Sequence, residues 1–201
     1  MRKKKNDQVK NKDIRYMRKF HQVVTTTFFL VFAACCILFL IHIRTHVVDG
    51  QSMAPTFANG DRIFINKGEM PSRNDIITFE PKDKPGESYV KRVIGLPGDT
   101  IWLDGNKLFL NYRMSEEELS IIGTDKLARD LPDGTLKINI SVLVQNQLTG
   151  LTKIPKNCYF VLGDNSKHST DSRVLGFVKD EQIEGVVQFR YFPLNKMGFI
   201  K

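Results

Sequence analysis

Cysteine is almost missing from this chain, and that shortage is the first constraint on it. Of three cysteines, Cys35 and Cys36 are neighbours inside an apolar run and Cys158 stands alone in the remainder, so the polar portion cannot close a disulfide on itself. An exported domain without disulfides is compatible with a bacterial cell surface. Cys158 lies in a β-like string and reads as a packed strand residue rather than a nucleophile. Histidine is scarce too, and no two histidines or cysteines beyond the apolar run have ligand spacing, so neither a metal nor any other cofactor is expected. There is no internal repeat and no low-complexity linker, which leaves out repeat architectures. Basic excess is missing wherever a nucleic-acid interface would need it. The net charge is +8, but residues 1–22 hold nine Lys/Arg against two Asp, leaving 21 basic and 20 acidic residues in the rest. Nucleic-acid binding by the main domain therefore loses its support, and the basic segment reads as a disordered topogenic tail beside anionic lipid.

What the chain does have is one long uncharged stretch. From Val23 to Ile43 it reads VVTTTFFLVFAACCILFLIHI, 21 residues. At 1.5 Å per residue a helix of that length crosses a hydrocarbon core of about 30 Å. Thr25, Thr26 and Thr27 can bond back to the helix backbone and do not disqualify it. A cleavable signal peptide has a shorter apolar core followed by a small-x-small site, whereas this run leads into Arg44-Thr45-His46-Val47-Val48, the pattern of an uncleaved anchor. Lys/Arg on its N-terminal side predicts a cytoplasmic N-terminus and an exported C-terminal part. The expected organisation is a cytoplasmic tail over 1–22, an anchor over 23–43 and an exported domain over 47–201; at 201 residues there is room for no more.

The exported part reads as short strands separated by turns. Segments 62–67, 75–80, 88–94, 101–103, 107–111, 136–144, 159–162 and 185–192 are rich in β-branched and aromatic residues. Asn59-Gly60-Asp61, Leu96 to Gly98, Asp104-Gly105-Asn106 and Pro132-Asp133-Gly134 supply turns. The pattern predicts a mainly β domain. A short helix is expected over 115–129, and residues 112–156 read as an inserted segment.

Chemistry concentrates near the anchor. Ser52 lies nine residues beyond the apolar run, in Val48-Asp49-Gly50-Gln51-Ser52-Met53-Ala54-Pro55-Thr56. A serine hydroxyl is a poor nucleophile until a base removes its proton, and three bases are on offer: His46, His168 and Lys91. His46 reads as an interfacial residue. His168, in Gly163-Asp164-Asn165-Ser166-Lys167-His168-Ser169-Thr170-Asp171-Ser172-Arg173, has aspartates nearby, so a Ser-His-Asp triad stays open on the residues alone. Lys91 sits in Tyr89-Val90-Lys91-Arg92-Val93-Ile94-Gly95-Leu96-Pro97-Gly98-Asp99, and strand alternation puts it on one face with Tyr89 and Val93. Those flanks would desolvate the ammonium and lower its pKa, which a lysine base requires near pH 7. Phe57 reads either as facing the bilayer surface or as a core aromatic.

Four blocks in order then carry a resemblance: the anchor with VDGQSMAPT, Gly60 to Lys67, YVKRVIGLPGD, and VLGDNSKHSTDSR leading into Leu175-Gly176-Phe177-Val178. The chain resembles type I signal peptidases of the short, Gram-positive-like form, membrane-anchored Ser/Lys endopeptidases that remove signal peptides from exported proteins. The resemblance covers most of the chain apart from the tail and the insertion. It implies an antiparallel β-sheet catalytic domain of the signal-peptidase and repressor-protease type, Ser52 as nucleophile and Lys91 as general base. It further implies that Ser169 bonds the lysine amine, that Asp171 and Arg173 form a supporting pair, that Asp164 is structural, and that Met53 packs beneath the lysine and the substrate pocket. Gly50 stands where some members carry a serine that helps bind the oxyanion, and His168 where Asn is common. Preproteins emerging from the export channel and the lipid bilayer are the implied partners, with cleavage after a small-x-small motif in pockets that Met53, Val93 or Ile94 would line. Two other readings are a self-cleaving repressor-type Ser/Lys protease, which would carry a DNA-binding helix-turn-helix instead of an anchor, and a non-catalytic anchored β-rich surface module.

Overall fold

A computed structural model describes residues 2–122 and 131–200, with side chains described for 17–120 and 131–200. The chain divides into two compact units, Met1–Ile43 and Arg44–Lys201.

The first unit is helix α1, Arg2–His42. It includes the basic segment read from sequence as disordered; that segment has no Gly or Pro and is rich in Lys and Arg, both good helix formers. Met17–His42 is long and apolar enough to cross a membrane. Thr25, Thr26 and Thr27 donate to the carbonyls four residues earlier at 2.7, 2.8 and 2.9 Å, so their hydroxyls carry no unmet polar demand. The helix stops where β-branched residues begin to alternate, at Ile43, Thr45 and Val47.

The second unit is built on strands β1 (Ile43–Val47), β2 (Arg62–Asn66), β3 (Ile76–Phe79), β4 (Tyr89–Gly95), β5 (Thr100–Asp104), β6 (Lys107–Asn111), β7 (Leu136–Asn139), β8 (Cys158–Leu162), β9 (Val178–Lys179), β10 (Ile183–Phe192) and β11 (Gly198–Phe199). Among the described residues the larger sheet runs β1-β2-β10-β3-β4-β8-β9, with β11 pairing β10, and a smaller sheet runs β5-β6-β7. The strand pairs from β2 onward are antiparallel, as the resemblance implies.

Strand β4 carries Lys91 between two neighbours in the larger sheet. Ile77 of β3 lies opposite Lys91, and Val161 of β8 opposite Val93. Alternation sends Val90 into a cluster with Met53, Phe57, Ile63, Ile65 and Ile76, while Tyr89 and Val93 join another with Ile77, Phe79 and Val161. Met53 and Phe57 are 0% and 1% exposed, so Phe57 is a core aromatic rather than a bilayer contact. Each such burial is worth about 1.5–3 kcal/mol, which pins the segment just after Ser52 to the core.

The inserted segment adds β7 to the smaller sheet, whose β5 and β6 precede it, and also holds short helices. Helix α2 (Glu116–Ile122) covers the start of the helix expected over 115–129, and residues 123–130 of that expectation lie outside the described residues. The strand expected over 136–144 is corrected: β7 ends at Asn139 and helix α3 (Val142–Leu148) follows. Ser141 makes the difference, its hydroxyl accepting from Val144 N–H at 3.3 Å as an N-cap. Phe160 of β8 packs with Ile101, Leu108, Leu110 and Val144, so one apolar cluster joins the smaller sheet to the larger.

Candidate active site

Ser52 lies in a non-strand segment that hydrogen bonds fix both from within and from neighbouring loops. Within it, Ala54 N–H donates to Gln51 O at 3.1 Å and Phe57 N–H to Met53 O at 2.9 Å. From the loop after β8, Asn165 N–H donates to Ser52 O at 2.9 Å and the Asn165 amide to Gln51 O at 3.1 Å. The Thr56 hydroxyl donates to Asp164. Asp164 also accepts from Arg92 Nε at 2.9 Å and Nη2 at 2.8 Å, a two-toothed clamp onto the residue next to Lys91. Burial alone would raise the Asp164 carboxyl, but the bonds from Arg92 and Thr56 outweigh it and hold the group below its usual range.

Lys91 Nζ is 2.8 Å from Ser52 Oγ and donates to Val90 O at 2.9 Å. The residue is 3% exposed, and its Nζ lies 5.3 Å from the centre of the Tyr89 ring. Burial pulls its pKa down to about 8, against a smaller upward pull from the Asp171 charge. An ammonium donates to Ser52 Oγ; once neutral, the amine keeps one N–H on Val90 O and offers its lone pair to the Ser52 O–H. The same contact thus serves both protonation states.

Asp171 is fully buried and gathers five bonds. Its Oδ1 accepts from Arg173 N–H at 3.2 Å and Nε at 2.8 Å, and its Oδ2 accepts from Gly163 N–H at 3.0 Å, the Ser169 hydroxyl at 2.7 Å and Arg173 Nη2 at 2.9 Å. Desolvation would raise this carboxyl, yet the Arg173, Gly163 and Ser169 bonds together keep it below the ordinary carboxylate range. Asp171 also caps the short helix α4 (Ser172–Leu175). Ser169, expected to bond the lysine amine, donates its hydroxyl to this carboxylate, and Lys91 bonds Ser52 and Val90. Gly163 is the close-packed point of the loop: a Cβ there would meet the Ser169 hydroxyl and stand 2.6 Å from Ser52 O.

A groove of about 640 Å³ opens over these groups, lined among others by His46, Asp49, Gly50, Ser52, Glu87, Ser88, Tyr89, Lys91, His168 and Thr170. Gly50 has φ +80° and its N–H donates to the Asn59 side chain at 2.9 Å. His168 lies on the groove wall while the contact to Ser52 Oγ belongs to Lys91. His46 is half-buried, and burial lowers its pKa against an upward pull from Glu184. Met53 and Val93 are 0% exposed and do not line the groove; Met53 packs with Val90 and Phe57, and Val93 with Ile77 and Val161. Cys158 begins β8, half-buried, with its thiol pKa raised by burial. Among the described residues no three His, Cys, Asp or Glu side chains gather as metal ligands.

Sequence reasoning did not single out Thr56, Arg92, Gly163 or Asn165. All four lie inside the motif strings, but their partners are remote: Asn165 reaches back 114 residues to Gln51 and Asp164 72 to Arg92.

A hydroxyl at the floor of an open groove, bonded to a desolvated amine, has the parts that a serine hydrolase needs. Comparison with known proteins agrees. Residues 20–192 match the family described as signal peptidase, peptidase S26. A signal peptidase I of Bacillus caldolyticus is 39% identical over 175 residues, covering 84% of this chain and 91% of that protein. Signal peptidase IB of Staphylococcus aureus (strain MRSA252) is 32% identical over 184 residues, covering 83% and 88%. The crystal structure of a signal peptidase I from Enterococcus faecalis V583 is 33% identical, covers 59% of this chain and 97% of its own, and superposes with a TM-score of 0.37. The chain belongs to the signal peptidase family, peptidase S26, and is a serine peptidase. The non-catalytic surface module is thereby set aside.

Proposed function

We propose that this chain is a membrane-anchored endopeptidase that removes N-terminal signal peptides from exported preproteins, cutting after a small-x-small motif, with Ser52 as nucleophile and Lys91 as general base. The observation that carries this reading is the 2.8 Å contact between Lys91 Nζ and Ser52 Oγ at a lysine only 3% exposed. With a pKa of about 8, roughly one molecule in ten holds a neutral amine at pH 7, against roughly one in three thousand at the ordinary value of 10.5.

In the first half-reaction neutral Lys91 takes the Ser52 proton as Oγ attacks the scissile carbonyl. The oxyanion is met by the Ser52 N–H, since the Gly50 N–H is already engaged by Asn59. Lys91 then protonates the departing amine, and an acyl-ester remains on Ser52. Neutral again, Lys91 activates a water that hydrolyses the ester and restores the hydroxyl. Asp171 and Arg173 hold the loop behind the dyad, with Ser169 bonded to Asp171, and Asp164 ties that loop to β4. No cofactor takes part.

The organisation that goes with this reading is a cytoplasmic tail over 1–22, an anchor over 23–43 and an exported peptidase domain over 47–201 carrying an insertion at about 112–156. The apolar Met17–His42 segment and the basic residues before it support a cytoplasmic N-terminus in the cell membrane. With only eight residues between Ile43 and Ser52, the nucleophile stays near the bilayer, where a preprotein's cleavage site leaves the export channel.

The test is cleavage of a preprotein by purified protein in detergent, with the product's new N-terminus sequenced. Ser52→Ala and Lys91→Ala are expected to lose cleavage and His168→Ala to keep most of it. Loss in His168→Ala with retention in Lys91→Ala would replace the dyad by a histidine-based site. Protease treatment of wall-stripped cells that degrades the tail but spares the domain would reverse the orientation.

A further inference from the structure

The Ser52 segment is held from two sides. On the Lys91 side stands the Asp164–Arg92 clamp. On the far side stands Arg190 of β10, which lies opposite Ile63 of β2 and Gly198 of β11. Its Nη1 donates to the Thr56 carbonyl at 2.9 Å and to Asp61 Oδ2 at 3.0 Å, and its Nε donates to Lys196 O at 2.7 Å. The guanidinium carbon lies 5.5 Å from the centre of the Phe57 ring. Asp61 is 3% exposed and also accepts Ala58 N–H at 3.1 Å, so the turn after Thr56 is bound to the same ion pair.

Thr56 is where the two sides meet. Its carbonyl is held by Arg190 and its hydroxyl by Asp164. With the carbonyl fixed, the residue cannot swing, and the hydroxyl keeps its aim at Asp164. Asp164 grips Arg92, the residue after Lys91 on β4. A continuous chain of bonds thus runs Asp61, Arg190, Thr56, Asp164, Arg92, from β10 under the nucleophile segment to the strand that carries the base.

We infer that Arg190, with Asp61 as its counter-ion, is a positioning residue that sets the separation between Ser52 and Lys91 by fixing Thr56 between β10 and β4. This role rests on the Ser52–Lys91 reading. Arg190 touches neither the Ser52 hydroxyl nor the lysine amine and acts only through the segment between them. A guanidinium suits the task because its planar fork reaches three acceptors in fixed directions, which an ammonium cannot match. Displacing a reacting group by about 1 Å can cost on the order of a hundredfold in rate. If the segment drifts from Lys91, water also gains access to the amine, and less desolvation means a higher pKa.

The experiment uses the full chain in detergent and compares wild type, Arg190→Met, Arg190→Lys and Thr56→Val, with Ser52→Ala and Lys91→Met as controls. For each, kcat and KM on a preprotein, the pH midpoint of kcat/KM and a melting curve are recorded. Arg190→Met is expected to lower kcat by roughly ten- to a hundredfold with KM within about twofold, and to move the midpoint upward. Arg190→Lys should lie between it and wild type. Thr56→Val cuts the chain at its next joint and should move the midpoint the same way, which keeps the test open if Arg190→Met does not fold. Wild-type kcat and midpoint in either Arg190→Met or Thr56→Val would overturn the inference. So would a fall in kcat that merely tracks the folded fraction at an unmoved midpoint, since that is all a structural role produces. Normal cleavage by Ser52→Ala or Lys91→Met would instead remove the dyad reading itself, a separate failure.

Discussion

Replacing Gly163 by alanine adds one methyl group at the tightest point of the site. The new Cβ would overlap the Ser169 hydroxyl and stand 2.6 Å from both Ser52 O and Ser169 Cβ, about 0.8 Å short of ordinary contact at 3.4 Å for the last two. Neither neighbour can yield freely. Ser52 O accepts Asn165 N–H at 2.9 Å, and Ser169 is bonded to the buried Asp171. The strain must therefore appear as a shift of the nucleophile segment, of the loop, or of both. Overpacking of this kind costs about 1–3 kcal/mol, a modest part of the roughly 5–15 kcal/mol that stabilises a typical domain, so the variant should fold. Its activity should fall much further, because a displacement near 0.8 Å approaches the 1 Å that can cost on the order of a hundredfold. The assay is kcat/KM on a preprotein beside a melting curve. Adding Ser169→Gly removes one of the two collisions and should recover part, but not all, of the rate, the signature of coupled neighbours. Gly163→Ala with wild-type kcat/KM would refute the reasoning. So would full recovery in the double variant, since the Ser52 contact is untouched there.

Other outcomes arise from the same contacts. Asp171→Asn leaves two N–H donors facing an amide nitrogen whichever way the side chain turns, at about 1–3 kcal/mol each, so the melting temperature at pH 7 should drop. The Asp171 and Asp164 carboxyls are held below their usual range, so the stability they add is present above that range and lost as pH falls through the depressed values; acid titration of Asp171→Asn should show a shallower loss than wild type. Gly50→Ser puts a side chain at φ +80° and should lower stability by about 1–2 kcal/mol without raising kcat, read by melting and by turnover.

Strands β2, β3, β4, β8 and β10 of the larger sheet were legible because β-branched and aromatic residues alternate between turn residues, whereas β1, at the end of the apolar run, and the two-residue β9 and β11 were not; Ser52 and Lys91 stood out as candidates from the motif strings around them. Alternation even gave the right flanks for Lys91, with Tyr89 and Val93 in one cluster. Helix α3 was hidden because Val142, Leu143 and Val144 look like strand residues until Ser141 is recognised as their cap. The Ser169 donation to Asp171 was not legible because it depends on a carboxylate two residues on being buried, and burial is a property of the fold. Least legible were the ties that fix the Ser52 segment: Arg190 reaches Thr56 across 134 residues, and no local pattern announces such a pair.

The proposed chemistry depends above all on Lys91 being a desolvated amine, bonded to Ser52 and able to shed its proton near neutrality. A nitrogen-detected NMR titration of the lysine side chains in the full chain tests this most directly. One lysine is expected to titrate with a midpoint near 8, to be absent in Lys91→Arg, and to coincide with the rising limb of kcat/KM. A Lys91 midpoint at the ordinary 10.5, with that limb shifted by His168→Ala instead, would contradict it.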